Sequence, residues 1–302
     1  MSAGGDEYEL RNGEYTAVVT QVGAGLRLLR HGDRDLLLPY DTGAVRPKYR
    51  GALLAPWPNR VVDGRYRFDG EELQLDLSEP QRRHAIHGLV CWERFEAAQP
   101  SPSEVTLTHR LVPREGYPFS VELQVGYRLD DGLACTVTAH NAGRRRAPYG
   151  TAPHPYLVGG PGKVDGWTLH APASEVLEVT PDRLVPIGLR AVEGTPFDFR
   201  APRRVEGIEL DHAYTGLAPR GDGLVRVTVT GADGHGTEIA WDPTVLPWVQ
   251  VHTADLPEPA ESRRGLAVEP MTCPPDAFNS GTDLVVLEPG ESHEARWTIR
   301  AV

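Results

Sequence analysis

The chain has 302 residues, 40% of them hydrophobic and 24% charged, which is enough to bury a sizeable core. Its formal net charge of −11 argues against nucleic acid or an anionic membrane surface as a partner. The three cysteines are odd in number and far apart, so neither a disulfide framework nor a CxxC metal knuckle is expected.

The N-terminal segment lacks the features of a targeting sequence. Residues 1–7 contain neither a basic region nor an apolar run. No stretch of the chain approaches the roughly 20 apolar residues that are needed to span a bilayer. We therefore expect a soluble, cytoplasmic protein with no membrane partner.

The predicted strands within residues 8–50 contain no residues with an evident chemical role, so the first segment of interest is 51–60. Two prolines bracket Trp57 in an extended conformation, and Asn59 and Arg60 follow. An indole offers an apolar plate to the C–H face of a sugar, while Asn and Arg offer donors to its hydroxyl groups. A core tryptophan followed by a surface arginine would give the same pattern.

A histidine pair follows in the chain. His87 is directly followed by Gly88, and a glycine at that place lets a ligand approach the backbone closely. His84 and His87 have HxxH spacing, but no third Cys or carboxylate ligand stands nearby. We therefore expect no metal site here.

Alternating apolar and polar residues dominate the middle and the end of the chain. Residues 121–129 alternate in this way, and the turn at 130–132 leads into a second strand. Residues 225–230 and 295–299 repeat the alternation, and we find no long amphipathic helix. The pattern predicts an all-β protein, a large antiparallel β-sandwich, forming a single domain over residues 1–302.

Polar residues in three later segments are candidates for a site. His154 has a proline on each side, which restricts its backbone and suits an acid that must be aimed. Asp211 stands beside another histidine after a loop, and the strand at 248–253 places two polar residues on the face of Trp248. Each of these features is also compatible with a turn-capping or buried structural role.

Glu269 follows a short apolar run and precedes a proline. The run at 266–268 is expected to enter the core as a strand that stops at Glu269. Pro270 then fixes the next φ and offers no N–H to a neighbouring strand. Such a carboxylate is partly desolvated, so its pKa rises toward neutrality and it can act as a base. An ordinary strand-end glutamate facing water is the alternative interpretation.

Taken together, these segments resemble the aldose 1-epimerase (galactose mutarotase-like) family over most of the chain. The matching elements are Asn59-Arg60, His87-Gly88, His154-Pro155-Tyr156, Asp211-His212, Glu269-Pro270 and 275–279. The Glu-Pro-Met-Thr form resembles a bacterial branch rather than the galactose enzymes, which usually carry a Gln two places after the Glu. His84 stands where many relatives have Asn, so the identity of the sugar stays open.

The resemblance implies a β-supersandwich that interconverts the α and β anomers of a free aldohexose, with no metal and no cofactor. By position, Glu269 matches the general base, His154 the general acid, and His87 a second histidine near the ring oxygen. Arg60 and Asp211 match substrate-binding positions. The expected partner is a small sugar, and the oligomeric state stays open between monomer and homodimer.

The residues themselves add further candidates. Asn59 offers another donor to the sugar, and the aromatic candidates for the pocket wall are Trp57, Trp92, Tyr156 and Trp248. An arginine close to a catalytic carboxylate would depress its pKa and weaken it as a base. The arginine that follows Asn59 is therefore expected to meet sugar hydroxyls first and the carboxylate only at a distance.

Two other functions remain open at this point. An epimerase for a sugar phosphate or a sulfonated sugar would need a cationic clamp, for which the candidates are Arg46, Lys48, Arg50, Arg82 and Arg83. A non-catalytic carbohydrate-binding β-sandwich would keep the aromatic residues but would need no paired acid and base.

Overall fold

The computed structural model describes residues 2–302 and is built almost wholly of short strands. In chain order the strands are β1 (Glu7–Asn12), β2 (Tyr15–Thr20), β3 (Gly25–His31), β4 (Arg34–Asp35), β5 (Leu53–Leu54), β6 (Arg60–Val62), β7 (Arg65–Phe68), β8 (Glu71–Gln74), β9 (His84–Ile86), β10 (Glu96–Ser101), β11 (Glu104–Leu111), β12 (Val121–Asp130), β13 (Gly132–Asn141), β14 (Ala147–Tyr149), β15 (Ala152–Pro153), β16 (Tyr156–Leu157), β17 (Thr168–His170), β18 (Ala173–Val179), β19 (Pro186–Ala191), β20 (Arg203–Arg204), β21 (Asp211–Leu217), β22 (Val225–Thr230), β23 (Gly236–Trp241), β24 (Trp248–His252), β25 (Leu266–Met271), β26 (Val285–Leu287) and β27 (Ser292–Ala301). The helices are α1 (Ala277–Ser280) and two 3₁₀ turns, Pro47–Tyr49 and Val164–Gly166. None of the helices within residues 2–302 is long and apolar enough to cross a membrane.

Two large antiparallel sheets form the sandwich, which confirms the predicted fold class. The nine-stranded sheet has the order β10-β11-β12-β13-β27-β23-β22-β17-β20, and the six-stranded sheet has the order β16-β25-β24-β21-β18-β19. Strands β1 to β4 form a third sheet, and four two-stranded pairs complete the fold: β5 with β15, β6 with β9, β7 with β8, and β14 with β26.

Strand β12 shows how the alternating sequence forms the core. Val121, Leu123 and Val125 are buried, whereas Glu122 and Gln124 on the opposite face are exposed. The buried side chains of β12 belong to one large apolar cluster that also includes residues of the six-stranded sheet. We call this cluster the main core. Burying a side chain of this size contributes about 1.5–3 kcal/mol, so the alternation holds the two sheets together.

Strand β25 is covered on both faces, and all six of its residues are buried. Leu266 and Val268 pack in the main core, so Glu269 belongs to the opposite face. A shift of one residue in register would turn Glu269 into the core, and the apolar residues on the core side therefore fix its direction.

The strand runs past Glu269, contrary to the sequence-based expectation that it stops there. On the side of β25 toward β15 and β16, the Val268 N–H donates to Pro155 O at 3.2 Å and the Thr272 N–H donates to Thr151 O at 3.1 Å. Pro270 lies between these two positions, beyond Ala267, which is the last residue of β25 that pairs with β16. The missing N–H therefore leaves no ladder partner unsatisfied, and the strand tolerates the proline.

Candidate active site

A cavity of about 450 Å³ lies over the face of the six-stranded sheet that is turned away from the main core. Five of its lining residues come from that sheet: Tyr156 on β16, Asp211 on β21, Gln250 and His252 on β24, and Glu269 on β25. Gln250 pairs directly with Glu269, and Asp211 pairs directly with His252. Directly opposed residues share a face, so the sheet register brings the side chains of these two pairs to one surface.

Glu269 is 1% exposed and is enclosed by protein. Burial raises its pKa well above the usual range, Asp211 raises it further, and Arg60 acts in the opposite direction. Its Oε2 atom is buried and makes no hydrogen bond to any of residues 2–302. A buried carboxyl group with a raised pKa and a free oxygen is suited to accept a proton from a bound molecule.

His154 lies directly after β15, and its backbone is fixed on both sides. Its N–H donates to Ala52 O at 2.9 Å, and its own carbonyl accepts from Gly51 at 2.8 Å. The imidazole Nε2 atom is 3.3 Å from Glu269 Oε1. Burial lowers the pKa of His154 to about 3, with a further contribution from His252.

His87 completes an imidazole pair in the cavity. Its ring centre is 5.1 Å from that of His154 and 4.5 Å from that of Tyr49. Burial lowers the pKa of His87 well below the usual range, and His154 lowers it further. His87 is therefore a neutral donor or acceptor at neutral pH, and it has one buried nitrogen, Nδ1, without a partner in the described chain.

The backbone that carries His87 and Asn59 is in the left-handed region. Asn59 has φ +51° and His87 has φ +64°, and the His87 N–H donates to Asn59 O at 2.8 Å. Such conformations cost of order 1–3 kcal/mol for residues other than glycine and are concentrated at functional sites. Gly88 has φ +73°, and a Cβ there would stand 2.1 Å from Ala55 O. A close backbone contact therefore requires glycine at this position, and the ligand approach that the sequence suggested stays a prediction.

Arg60 is held by a residue that the sequence analysis did not single out. Glu79 accepts from Arg60 Nε at 2.8 Å and from Arg60 Nη2 at 3.1 Å, and Arg82 Nη1 donates to the same carboxylate at 3.0 Å. Arg60 Nη2 also lies 3.7 Å from Asp211 Oδ2. No ion pair within 4.0 Å joins Arg60 to Glu269 in the part of the chain described, which agrees with the expected separation.

Asp211 is fixed by its strand neighbour. Gln250 Nε2 donates to Asp211 Oδ1 at 2.7 Å across the sheet. Burial opposes ionisation of Asp211, but His252 and Arg60 outweigh it and lower its pKa below the usual value. The carboxylate is therefore ionised at neutral pH and can accept hydrogen bonds from hydroxyl groups.

A long hairpin connection closes one side of the cavity. It spans residues 253–265 between β24 and β25, and Asp255, Leu256 and Pro257 line the cavity from it. Arg263 anchors it through Nη1 to Asp255 Oδ1 at 2.7 Å and through Nε to Asp165 Oδ2 at 2.8 Å.

The structure brings seven of the ten candidate site residues to this cavity, namely Glu269, His154, His87, Arg60, Asn59, Asp211 and Tyr156. Trp57, Trp92 and Trp248 are not among its lining residues, and Trp92 is 51% exposed. Trp57 is 2% exposed in the main core, with its ring 5.6 Å from that of Phe278. An indole packs against aromatic rings of a core as well as against a sugar, so the core interpretation applies here. Trp248 is buried beside Met271 and donates from Nε1 to Asp283 Oδ2 at 2.7 Å.

The residues proposed for a cationic clamp are separated in the fold. Lys48 and Arg82 line the cavity. Arg46 is buried and donates to the carbonyls of Cys91 and Val22, Arg50 lies 3.5 Å from a carboxylate of the 253–265 connection, and Arg83 is directed to Asp63 at 3.8 Å. Only two of the five candidates are therefore in a position to meet a sugar.

The sequence is similar to known proteins along nearly its whole length. The sequence matches the family model described as aldose 1-epimerase over residues 6–300. It is 35% identical over 301 residues to the uncharacterized protein YihR of Escherichia coli K12, covering 99% of this chain and 94% of that protein. It is 27% identical over 285 residues to the aldose 1-epimerase of the same organism, covering 82% of this chain and 78% of that enzyme.

Solved structures share the fold at lower sequence identity. A putative aldose 1-epimerase from Escherichia coli K12 superimposes with a TM-score of 0.85 at 20% identity, covering 98% of this chain and 99% of that one. Galactose 1-epimerase from Lactobacillus acidophilus NCFM gives a TM-score of 0.82 at 19% identity, with 97% and 93% coverage. The galactose mutarotase-like sandwich is therefore the fold of this chain.

Proposed function

The chain belongs to the aldose 1-epimerase family of isomerases, and from that premise we propose that it interconverts the α and β anomers of a free aldohexose. The observation that carries the proposal is the 3.3 Å separation of His154 Nε2 and Glu269 Oε1 in a buried cavity. On a pyranose, the C1 hydroxyl and the ring oxygen are bonded to the same carbon. The acid and the base that serve them must therefore lie close together.

Ring opening proceeds by two proton transfers. The carboxylate of Glu269 takes the proton of the C1 hydroxyl while the imidazolium of His154 gives a proton to the ring oxygen. The O–H electrons form the C=O bond and the C1–O5 bond breaks. The aldehyde then turns about C1–C2, and the ring closes on its other face as both transfers reverse. Each well-placed acid or base contributes about 10²- to 10⁴-fold.

The acid–base pair holds one proton through the whole cycle. In the form that opens the ring Glu269 is ionised and His154 is protonated, whereas over the open-chain sugar Glu269 is protonated and His154 is neutral. Burial raises the pKa of Glu269 and lowers that of His154, and both effects favour the neutral pair. The short distance lets one proton pass from Glu269 to His154, which converts the neutral pair into the charge-separated pair that opens the ring.

The other polar groups are suited to binding the hydroxyl groups of the sugar. Arg60 and Asn59 offer donors, and the ionised Asp211 accepts. Tyr156 is stacked on the His154 ring with centres 5.2 Å apart and planes 11° apart, so it forms a wall beside the acid. His87 contacts the same imidazole, with ring centres 5.1 Å apart and planes 77° apart, and is a neutral partner for the ring oxygen.

The proposal is tested by following the optical rotation of freshly dissolved α-D-glucose and α-D-galactose with and without the protein. We expect a faster approach to the same final rotation, because a catalyst cannot change the anomeric equilibrium. Isothermal titration showing that these sugars bind, together with an unaltered rate of mutarotation, would instead assign the cavity to sugar binding alone.

One observation favours a second candidate, an epimerase for a sugar phosphate or a sulfonated sugar. Lys48 lines the cavity, and it takes part in none of the ion pairs formed within residues 2–302. Four acidic residues line the same cavity, which favours the neutral sugar. Comparing glucose with its 6-phosphate and a 6-sulfonate decides between them. A preference above roughly tenfold for the anionic sugar, about 1.4 kcal/mol and removed by Lys48→Gln, would replace the first proposal.

A further inference from the structure

We infer that Glu79 is a positioning residue that fixes the orientation of Arg60 and offsets its charge, and thereby keeps Glu269 available as a base. The inference rests on the proposed function, since it assigns Glu269 to proton abstraction. It also accounts for how an arginine can stand in a cavity that needs a weakly acidic carboxyl group.

The contacts of Glu79 are those of a rigid support. Its carboxylate takes the Nε and Nη2 hydrogens of Arg60 in a two-point fork, at 2.8 Å and 3.1 Å. The Glu79 and Arg60 side chains are 7% and 9% exposed. The Glu79 N–H donates to His84 O at 2.9 Å, and Glu79 O accepts from His84 N at 3.2 Å. Since His84 opens β9, which pairs with β6, the support and the arginine belong to one rigid unit.

The fork decides which edge of Arg60 is left for a ligand. With Nε and one side of Nη2 occupied by Glu79, the remaining donors are on Nη1 and on the outer side of Nη2. Nη1 lies 3.4 Å from Asn59 Oδ1, and Nη2 lies 3.7 Å from Asp211 Oδ2. Arg60 therefore offers its outer edge next to the two residues that we assign to the sugar hydroxyls.

The pairing of Arg60 with Glu79 also affects the pKa of Glu269. Arg60 lowers the pKa of Glu269, against burial and Asp211, which raise it. An arginine that is already paired with a carboxylate exerts a smaller field than a free one, so Glu79 limits this lowering. The other titratable groups around the carboxyl group are His154, His87, His252 and Tyr156. None of these is held by Glu79. Of the two arginines that Glu79 does hold, Arg60 is the one that shifts the pKa of Glu269, so Glu79 acts through Arg60.

The test is the pH dependence of kcat/KM for mutarotation, whose acidic limb reports the base in the free enzyme. Glu79→Gln keeps the shape and removes the charge, and we expect the limb to move to lower pH by about half a unit or more. Arg82→Gln removes the second cation on Glu79 and should move the limb the other way. Glu79→Asp keeps the charge on a shorter side chain, so the limb should stay while KM rises.

The matched control is Glu238→Gln on the nine-stranded sheet. Glu238 is also a buried carboxylate bridged by two arginines, Arg226 at 3.4 Å and Arg300 at 2.7 Å. The Glu238→Gln variant should have a lower Tm and an unchanged acidic limb of the kcat/KM profile. A Glu79→Gln profile that superimposes on the wild type, with a loss of Tm like that of the control, would reduce Glu79 to a structural role.

Two further results separate the possible failures. If Glu79→Gln does not fold, Arg82→Gln decides the matter, because a limb that stays or moves to lower pH in that variant overturns the inference. If Glu269→Gln retains wild-type turnover, the proposed function itself fails, whatever the Glu79 variants show.

Discussion

Replacing Glu269 with glutamine should remove most of the turnover and leave the fold intact. Glutamine has the same shape as glutamate and can stay beside His154, but it cannot accept the proton of the C1 hydroxyl. A general base contributes about 10²- to 10⁴-fold, which at about 1.36 kcal/mol per tenfold is about 2.7–5.5 kcal/mol of barrier. His154→Ala should cost a comparable factor of at least about 10².

The 3.3 Å contact predicts how the two losses combine. Residues that act as one unit are strongly non-additive, so the Glu269→Gln, His154→Ala double variant should be about as slow as the slower single variant. Stopped-flow polarimetry of α-D-glucose on the two single variants, the double variant and Glu238→Gln as a control gives the complete cycle. Turnover of Glu269→Gln within tenfold of the wild type, or single losses that multiply in the double variant, would refute the acid–base pair.

The stability of Glu269→Gln provides an independent check on burial. A carboxyl group whose pKa is raised in the folded state binds its proton more tightly there than in the unfolded chain. The folded state therefore loses stability as the pH rises above the ordinary value of 4.5, and an amide at the same position does not. Urea unfolding at pH 5 and pH 8 should show a smaller decrease for the variant than for the wild type.

Three further predictions concern binding, packing and acid stability. Asp211→Asn should raise KM by roughly 10- to 100-fold, the equivalent of about 1.5–3 kcal/mol for hydrogen bonds to a charged group, and steady-state kinetics with an unchanged KM but a lost kcat would contradict that role. Trp57→Phe should lower Tm and leave KM unchanged, because its ring lies in the main core, so a raised KM would return Trp57 to the sugar. His154→Gln should flatten the dependence of stability on pH between about 3 and 6.5: the buried imidazole resists protonation, so the wild type loses stability as the pH falls through this range. Denaturant unfolding at pH 4 and pH 7 measures this difference, and an equal loss in both proteins would assign the acid sensitivity to other groups.

Much of the architecture could be predicted from the two-residue period. The alternation at 121–129 corresponds to β12, whose exposed and buried residues alternate as expected. The period also shows which residues of a strand share a face, and so places Gln250 beside His252. It does not show which strands are neighbours, because Glu269 and Asp211 reach the same surface only through the pairing of β21, β24 and β25.

The aromatic residues and Glu79 show where sequence reasoning stops. A tryptophan between prolines has the same composition whether its ring meets a sugar or Phe278, so the indole of Trp57 could not be assigned. Glu79 lies in a polar loop with no apolar run beside it, so nothing local indicates that it is buried. Arg82, three positions later, indicates a local ion pair with Glu79 but not burial, and the partner that matters, Arg60, stands 19 residues away.

The connection at 253–265 separates what fixes the chemistry from what selects the substrate. The ladder between β24 and β25 sets the spacing of Gln250 and Glu269, and opposed Cβ atoms in such a ladder stay about 4.5–5.5 Å apart whatever the length of the loop that joins them. Insertions or replacements around Asp255 to Pro257 can thus reshape this side of the cavity while the distance between Gln250 and Glu269 stays the same. Sequence changes confined to the 253–265 connection can therefore alter the sugar preference without changing the pairing of the strands beneath it.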